Sequence, residues 1–139
     1  MKSLICGASL AAVVLAAGVV SAVDASADEP ASVEVVMKKL FAGKAAPNNT
    51  LKAAAKGAPV DWAKAKEVSD TFAKFGPELG KNEAPKGDKA SWAKLTKALA
   101  DECKALGSAV DAKDEGKYRA TAKAISSSCK SCHDAHRPE

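Results

Sequence analysis

Aromatic residues are scarce: two tryptophans, one tyrosine and three phenylalanines make up 4% of this 139-residue chain. Histidine is rarer still, with two in all. A core built mainly from small aliphatic side chains, alanine above all, has little bulk to bury, and a large flat cofactor is one way to complete it. Strand signals are almost missing, and no βαβ pattern is present, which argues against a thioredoxin-like redox domain. The net charge is only +4, and the lysines are scattered singly. That is the pattern of solvated helix faces, so no nucleic-acid partner is expected.

Against this background one motif stands out. Cys129-Lys130-Ser131-Cys132-His133 is a C-x-x-C-H run, the attachment signature of a c-type haem. Two thiols bond to the porphyrin vinyl groups, and the following imidazole ligates iron from one face. Cys129, Cys132 and His133 stand at i, i+3 and i+4, so on a helix they share a face. A zinc site would need four ligands, and beyond the motif only Cys103 and His136 remain in the mature chain. A Cys2His2 set with His136 would crowd one short helix. The expected cofactor is therefore one covalent haem c with its iron.

The N-terminus agrees. Lys2 precedes an apolar run from Leu4 to Val20, and Ala25-Ser26-Ala27 fits a small-x-small cleavage site. Residues 1–27 read as a cleavable signal peptide and 28–139 as one small haem domain. Haem attachment to C-x-x-C-H takes place outside the bacterial cytoplasm, so export to the periplasm fits the motif. No stable membrane insertion is expected once the signal is removed.

The mature segment reads as an all-α antiparallel four-helix bundle. The first helix covers about Ser32–Ala42, with Val33, Val36, Met37, Leu40 and Phe41 on one face. Asn48-Asn49-Thr50 read as turn or cap residues, and a short helical piece is expected over Leu51–Lys56. The second helix follows the N-cap Asp61 to Phe75, where Gly76-Pro77 should stop or kink it. The third spans Lys89–Ala112, with Trp92, Leu95, Leu99, Cys103, Leu106 and Val110 inward. The fourth runs from Asp114 to near His136.

A late C-x-x-C-H inside the last helix, followed by Arg137 at a basic position, resembles the class II cytochromes c, the cytochrome c-prime family. The likeness covers the whole mature chain, including Lys86-Gly87-Asp88 leading into Ser91-Trp92. It departs at His136, where the family usually carries Phe or Tyr. The resemblance implies that the ligand opposite His133 comes from the first helix. A methionine there implies a low-spin electron carrier. An apolar residue implies five-coordinate iron that binds nitric oxide or carbon monoxide. Met37 is the only methionine of the mature chain, so His133 and Met37 are the expected metal ligands; Leu40 or Phe41 is the alternative distal cover. Arg137 is expected to pair with a haem propionate. His136 is expected at the haem edge or exposed at the terminus. Cys103 reads as a buried thiol, with intermolecular disulfide formation the alternative to check. Trp62 and Trp92 read as core or haem-wall aromatics. No catalytic residues are expected. The expected partners are redox proteins or a small gas ligand, with a homodimer allowed.

Overall fold

In a computed structural model of the chain, residues 29–138 are described. The expected signal peptide, residues 1–27, lies outside them. The described residues are all-α, with five α-helices, one 3-10 segment and no strand. The helices are α1 (Val33–Phe41), α2 (Pro47–Ala55), α3 (Trp62–Phe75), α4 (Lys89–Asp111) and α5 (Glu115–His136).

Local chemistry sets most boundaries. Aspartates open the three longest helices. Asp61 accepts from the amides of Ala63 and Lys64 at 2.9 and 3.1 Å, Asp88 from Ser91 at 2.7 Å, and Asp114 from Lys117 at 2.9 Å. Ser32 does the same for α1 through Val35. Gly43 and Gly57, at φ +88° and +94°, carry the chain out of α1 and α2 in the left-handed region. Between α4 and α5 only Ala112–Asp114 intervene, so two helices of 23 and 22 residues fold back on each other as a hairpin.

One expectation is corrected. The short helix starts at Pro47, not Leu51, so Asn48, Asn49 and Thr50 are helical. Proline suits the first helical position because it has no amide hydrogen to leave unsatisfied. The Asn49 side chain then reaches back to the carbonyls of Gly43 and Lys44, both at 3.0 Å. At Gly76-Pro77 the α-helix stops, at Phe75, as expected, and the chain goes on as a 3-10 helix, Gly76–Lys81. Gly76 packs directly against α4: a Cβ there would lie 2.4 Å from the Cys103 sulfur.

The core joins all the helices through Val36, Leu40, Leu51, Val68, Phe72, Leu106, Tyr118 and Ile125, each at most 2% exposed. Arg119 fastens α5 to the end of α2 by donating to the carbonyls of Ala54 and Ala58, the latter at 2.9 Å, while Glu115 holds its guanidinium from the other side at 2.6 Å. Ala54 is in the last turn of α2 and Ala58 in the segment that follows it, so one guanidinium holds both the helix end and the chain leaving it. Among the described residues no helix is long and apolar enough to cross a membrane.

Candidate cofactor site

The apolar stripe of α5 changes character along its length. Tyr118, Thr121, Ala122 and Ile125 are buried; Ser128, Cys129 and Cys132 are half-buried and His133 is exposed. The change marks the wall of a cavity. An inner cavity of about 240 Å3 is lined by Cys129, Cys132 and His133 from α5, Leu95 and Leu99 from α4, and Met37 and Phe41 from α1. A more open cleft of about 830 Å3 adjoins it and has Trp92, His136 and Arg137 in its wall. Met37, Phe41, Cys132 and His133 line both, so the two are one slot divided by these side chains. The outer cleft alone is within the range of cofactor sites, roughly 300–1,000 Å3, and the inner cavity extends it.

The helices explain this convergence. Met37 and Phe41 are one turn apart on α1, and Leu95 and Leu99 one turn apart on α4, so each pair shows one face to the slot. Leu40 is instead fully buried in the core and lines neither space. Of the two candidate apolar covers, only Phe41 is at the slot.

The donor set fits a covalently held porphyrin better than the other uses of C-x-x-C. Cys129, Cys132 and His133 share the wall of a single slot with apolar side chains, Leu95, Leu99 and Phe41, as a flat apolar cofactor requires, and burial, reinforced by neighbouring Cys129, pushes the Cys132 thiol up. A Cys2His2 set with His136 does not assemble, because that ring has both nitrogens engaged, at 2.7 Å from the Lys86 carbonyl and 3.1 Å from the Ser91 hydroxyl. One polar group of the wall points to an occupant: Asn48, 2% exposed, has a side-chain oxygen with no hydrogen-bond partner among the described residues. A buried amide oxygen ordinarily finds a donor. Neither cavity nor helix pattern flagged Asn48 in the sequence, where it read as a turn residue.

The remaining candidates fall as follows. Arg137 is exposed on the rim of the outer cleft. His136 is buried, 2% exposed, in the wall of that cleft and not at an open terminus. Trp92 lines the cleft and Trp62 packs on Tyr118 at 5.9 Å between ring centroids. Cys103 is 1% exposed, and burial, with a smaller contribution from Glu102, pushes its thiol up to about 12. Such a thiol is protonated and out of reach, so the intermolecular disulfide is not available to the folded chain. No family model, curated protein or solved structure matches this chain.

Proposed function

We propose that the protein is an exported mono-haem c-type cytochrome, related to the class II cytochromes c, that carries single electrons in the periplasm between redox proteins. The observation that carries this reading is the convergence of Met37, Cys129, Cys132 and His133 on one slot. In it the Cys129 and Cys132 thiols anchor one haem c, His133 ligates the iron from α5, and Met37 offers its thioether from α1. When bound, the haem supplies an iron centre that alternates between ferrous and ferric states. Leu95, Leu99 and Phe41 keep water from the slot, and Arg137 stands on the rim where a carboxylate of the cofactor would meet solvent. In this reading α1 with α2 forms one leg of an antiparallel four-helix bundle, and α3, α4 and α5 form the others.

One observation favours a second reading. Phe41 lines the same two spaces as Met37, one turn along α1. If Phe41 covers the iron, the site is five-coordinate and takes nitric oxide or carbon monoxide.

The ferric optical spectrum separates the two. Sulfur ligation gives a weak far-red band that Met37→Ala abolishes, and this is the expected result. A high-spin wild-type spectrum, with ready carbon monoxide binding by the ferrous protein and no effect of Met37→Ala, would overturn methionine ligation in favour of the gas-binding reading.

A further inference from the structure

His133 itself is held by very little. Its ring makes no hydrogen bond or ion pair among the described residues, and it is exposed in the last turns of α5. Metal-ligating histidines are ordinarily oriented by a partner on the second ring nitrogen. Here the orientation of the imidazole depends on the helix backbone that carries it, and helix ends fray unless something fixes them.

What fixes this end is His136. Its Nδ1 lies 2.7 Å from the Lys86 carbonyl. A carbonyl only accepts, so Nδ1 carries the proton. In the neutral ring Nε2 is then the acceptor, and the Ser91 hydroxyl donates to it across 3.1 Å. The imidazole meets Trp92 edge-on, with 5.3 Å between centroids at 72°. Trp92 in turn donates from its indole to the carbonyl of Asn82 at 2.9 Å. The loop between the 3-10 helix and α4 is thus tied at both ends to one aromatic pair. Gly87 brings the loop backbone onto α5: at φ +79° a Cβ there would lie 2.5 Å from the Ala135 carbonyl and 3.3 Å from His136 Nδ1. Only glycine fits so close an approach in that conformation.

We propose that His136 is a positioning residue for His133: it clasps the Lys86-Gly87 loop and the start of α4 onto the last turn of α5, and so fixes the imidazole that faces the slot. The role rests on the haem reading above. It also explains why a polar ring can replace the aromatic one that the resemblance leads one to expect: the ring spends both nitrogens on the loop and on α4, and keeps its edge on Trp92.

The test uses the full holoprotein. Intact mass first establishes whether the wild type and His136→Ala carry porphyrin. Amide hydrogen exchange over residues 130–137 and the ferric electron paramagnetic resonance spectrum are then compared. His136→Ala is expected to keep its porphyrin, because neither cysteine is touched. Its exchange should quicken at least about tenfold, as for loss of a buried hydrogen bond, and its ferric signal should broaden or split. His136→Asn, whose amide can donate to the Lys86 carbonyl, should recover part of both. Should His136→Ala fail to accumulate, Ser91→Ala and Gly87→Ala probe the same clasp, and each should shift both readouts in the same direction. Porphyrin-bearing variants with wild-type exchange and an unchanged ferric signal would overturn the positioning role alone. A wild type without porphyrin would overturn the haem reading and this role with it.

Discussion

The first and second halves of α5 make a useful pair. They belong to one continuous helix with the same periodicity of small and apolar residues. The first half buries Tyr118, Thr121, Ala122 and Ile125, and Tyr118, Ala122 and Ile125 belong to the same core cluster as Phe72, Leu106 and Leu51. The second half presents Ser128, Cys129, Cys132 and His133 to a slot, and closes only at His136. A helix that is complete in one half and half-wet in the other is stabilised unequally. The protein's own side chains hold the first half; the clasp and, in our reading, the cofactor hold the second.

The strongest way to break the comparison is to remove the anchor. In a Cys129→Ala/Cys132→Ala chain, made without attached haem, amides of 128–136 should lose protection while those of 118–126 retain it. Hydrogen exchange read by peptide mass checks this, and uniform protection along α5 would contradict it. Next in size are core truncations. Phe72→Ala should cost about 3–5 kcal/mol in either form, as for a fully buried aromatic. Leu99→Ala should cost about 1 kcal/mol in the haem-free chain, where only its inner side packs against the core, and clearly more in the holoprotein. Denaturant melts of both proteins provide the two values, and equal costs for Leu99→Ala would mean that the slot has no occupant to pack against.

A smaller effect comes from Arg119. Its bonds to the carbonyls of Ala54 and Ala58 join α2 to the first half of α5. Hydrogen bonds to a charged donor are worth about 1.5–3 kcal/mol each, but this side chain is partly exposed, so Arg119→Ala should cost about 1–2 kcal/mol in a denaturant melt. The loss should be the same with and without haem, because the contact lies away from the slot.

The smallest effect expected is on acid stability. The Lys81 ammonium, bonded at 2.6 Å, holds Glu78 below its ordinary 4.5, with help from the Ala31 amide. The Lys117 backbone amide holds Asp114 below its ordinary 3.8. Both groups bind protons more weakly folded than unfolded. Their contribution is therefore full above the ordinary values and disappears as pH falls through the lower folded ones. Thermal melts should move down as pH drops below about 4.5, and Glu78→Gln should flatten part of that slope. An unchanged slope in Glu78→Gln would remove Glu78 from the explanation.

Much of this architecture was legible because it is local. Asp61, Asp88 and Asp114 are caps at the start of apolar repeats, and their helices begin within a residue of where the sequence puts them. The spacing within C-x-x-C-H put both thiols and His133 on one helix face before any tertiary contact was known. What the sequence hid depends on distant partners. Arg119 meets carbonyls more than sixty residues away, and His136 meets a loop fifty residues away. No local repeat encodes either. Asn48 looked like a turn residue because Asn-Asn after proline is a turn signal, yet Pro47 at the first helical position was the better guide. Leu40 and Phe41 both belong to the apolar stripe of α1, and packing shows that one is in the core and the other at the slot.

The central claim is tested most directly by intact mass. The mature protein, produced with haem-attachment machinery, is denatured in acid acetone and weighed. The account expects a polypeptide carrying one porphyrin, lost when Cys129 and Cys132 are both replaced. A porphyrin that extracts into the solvent, leaving a bare polypeptide mass, would contradict it.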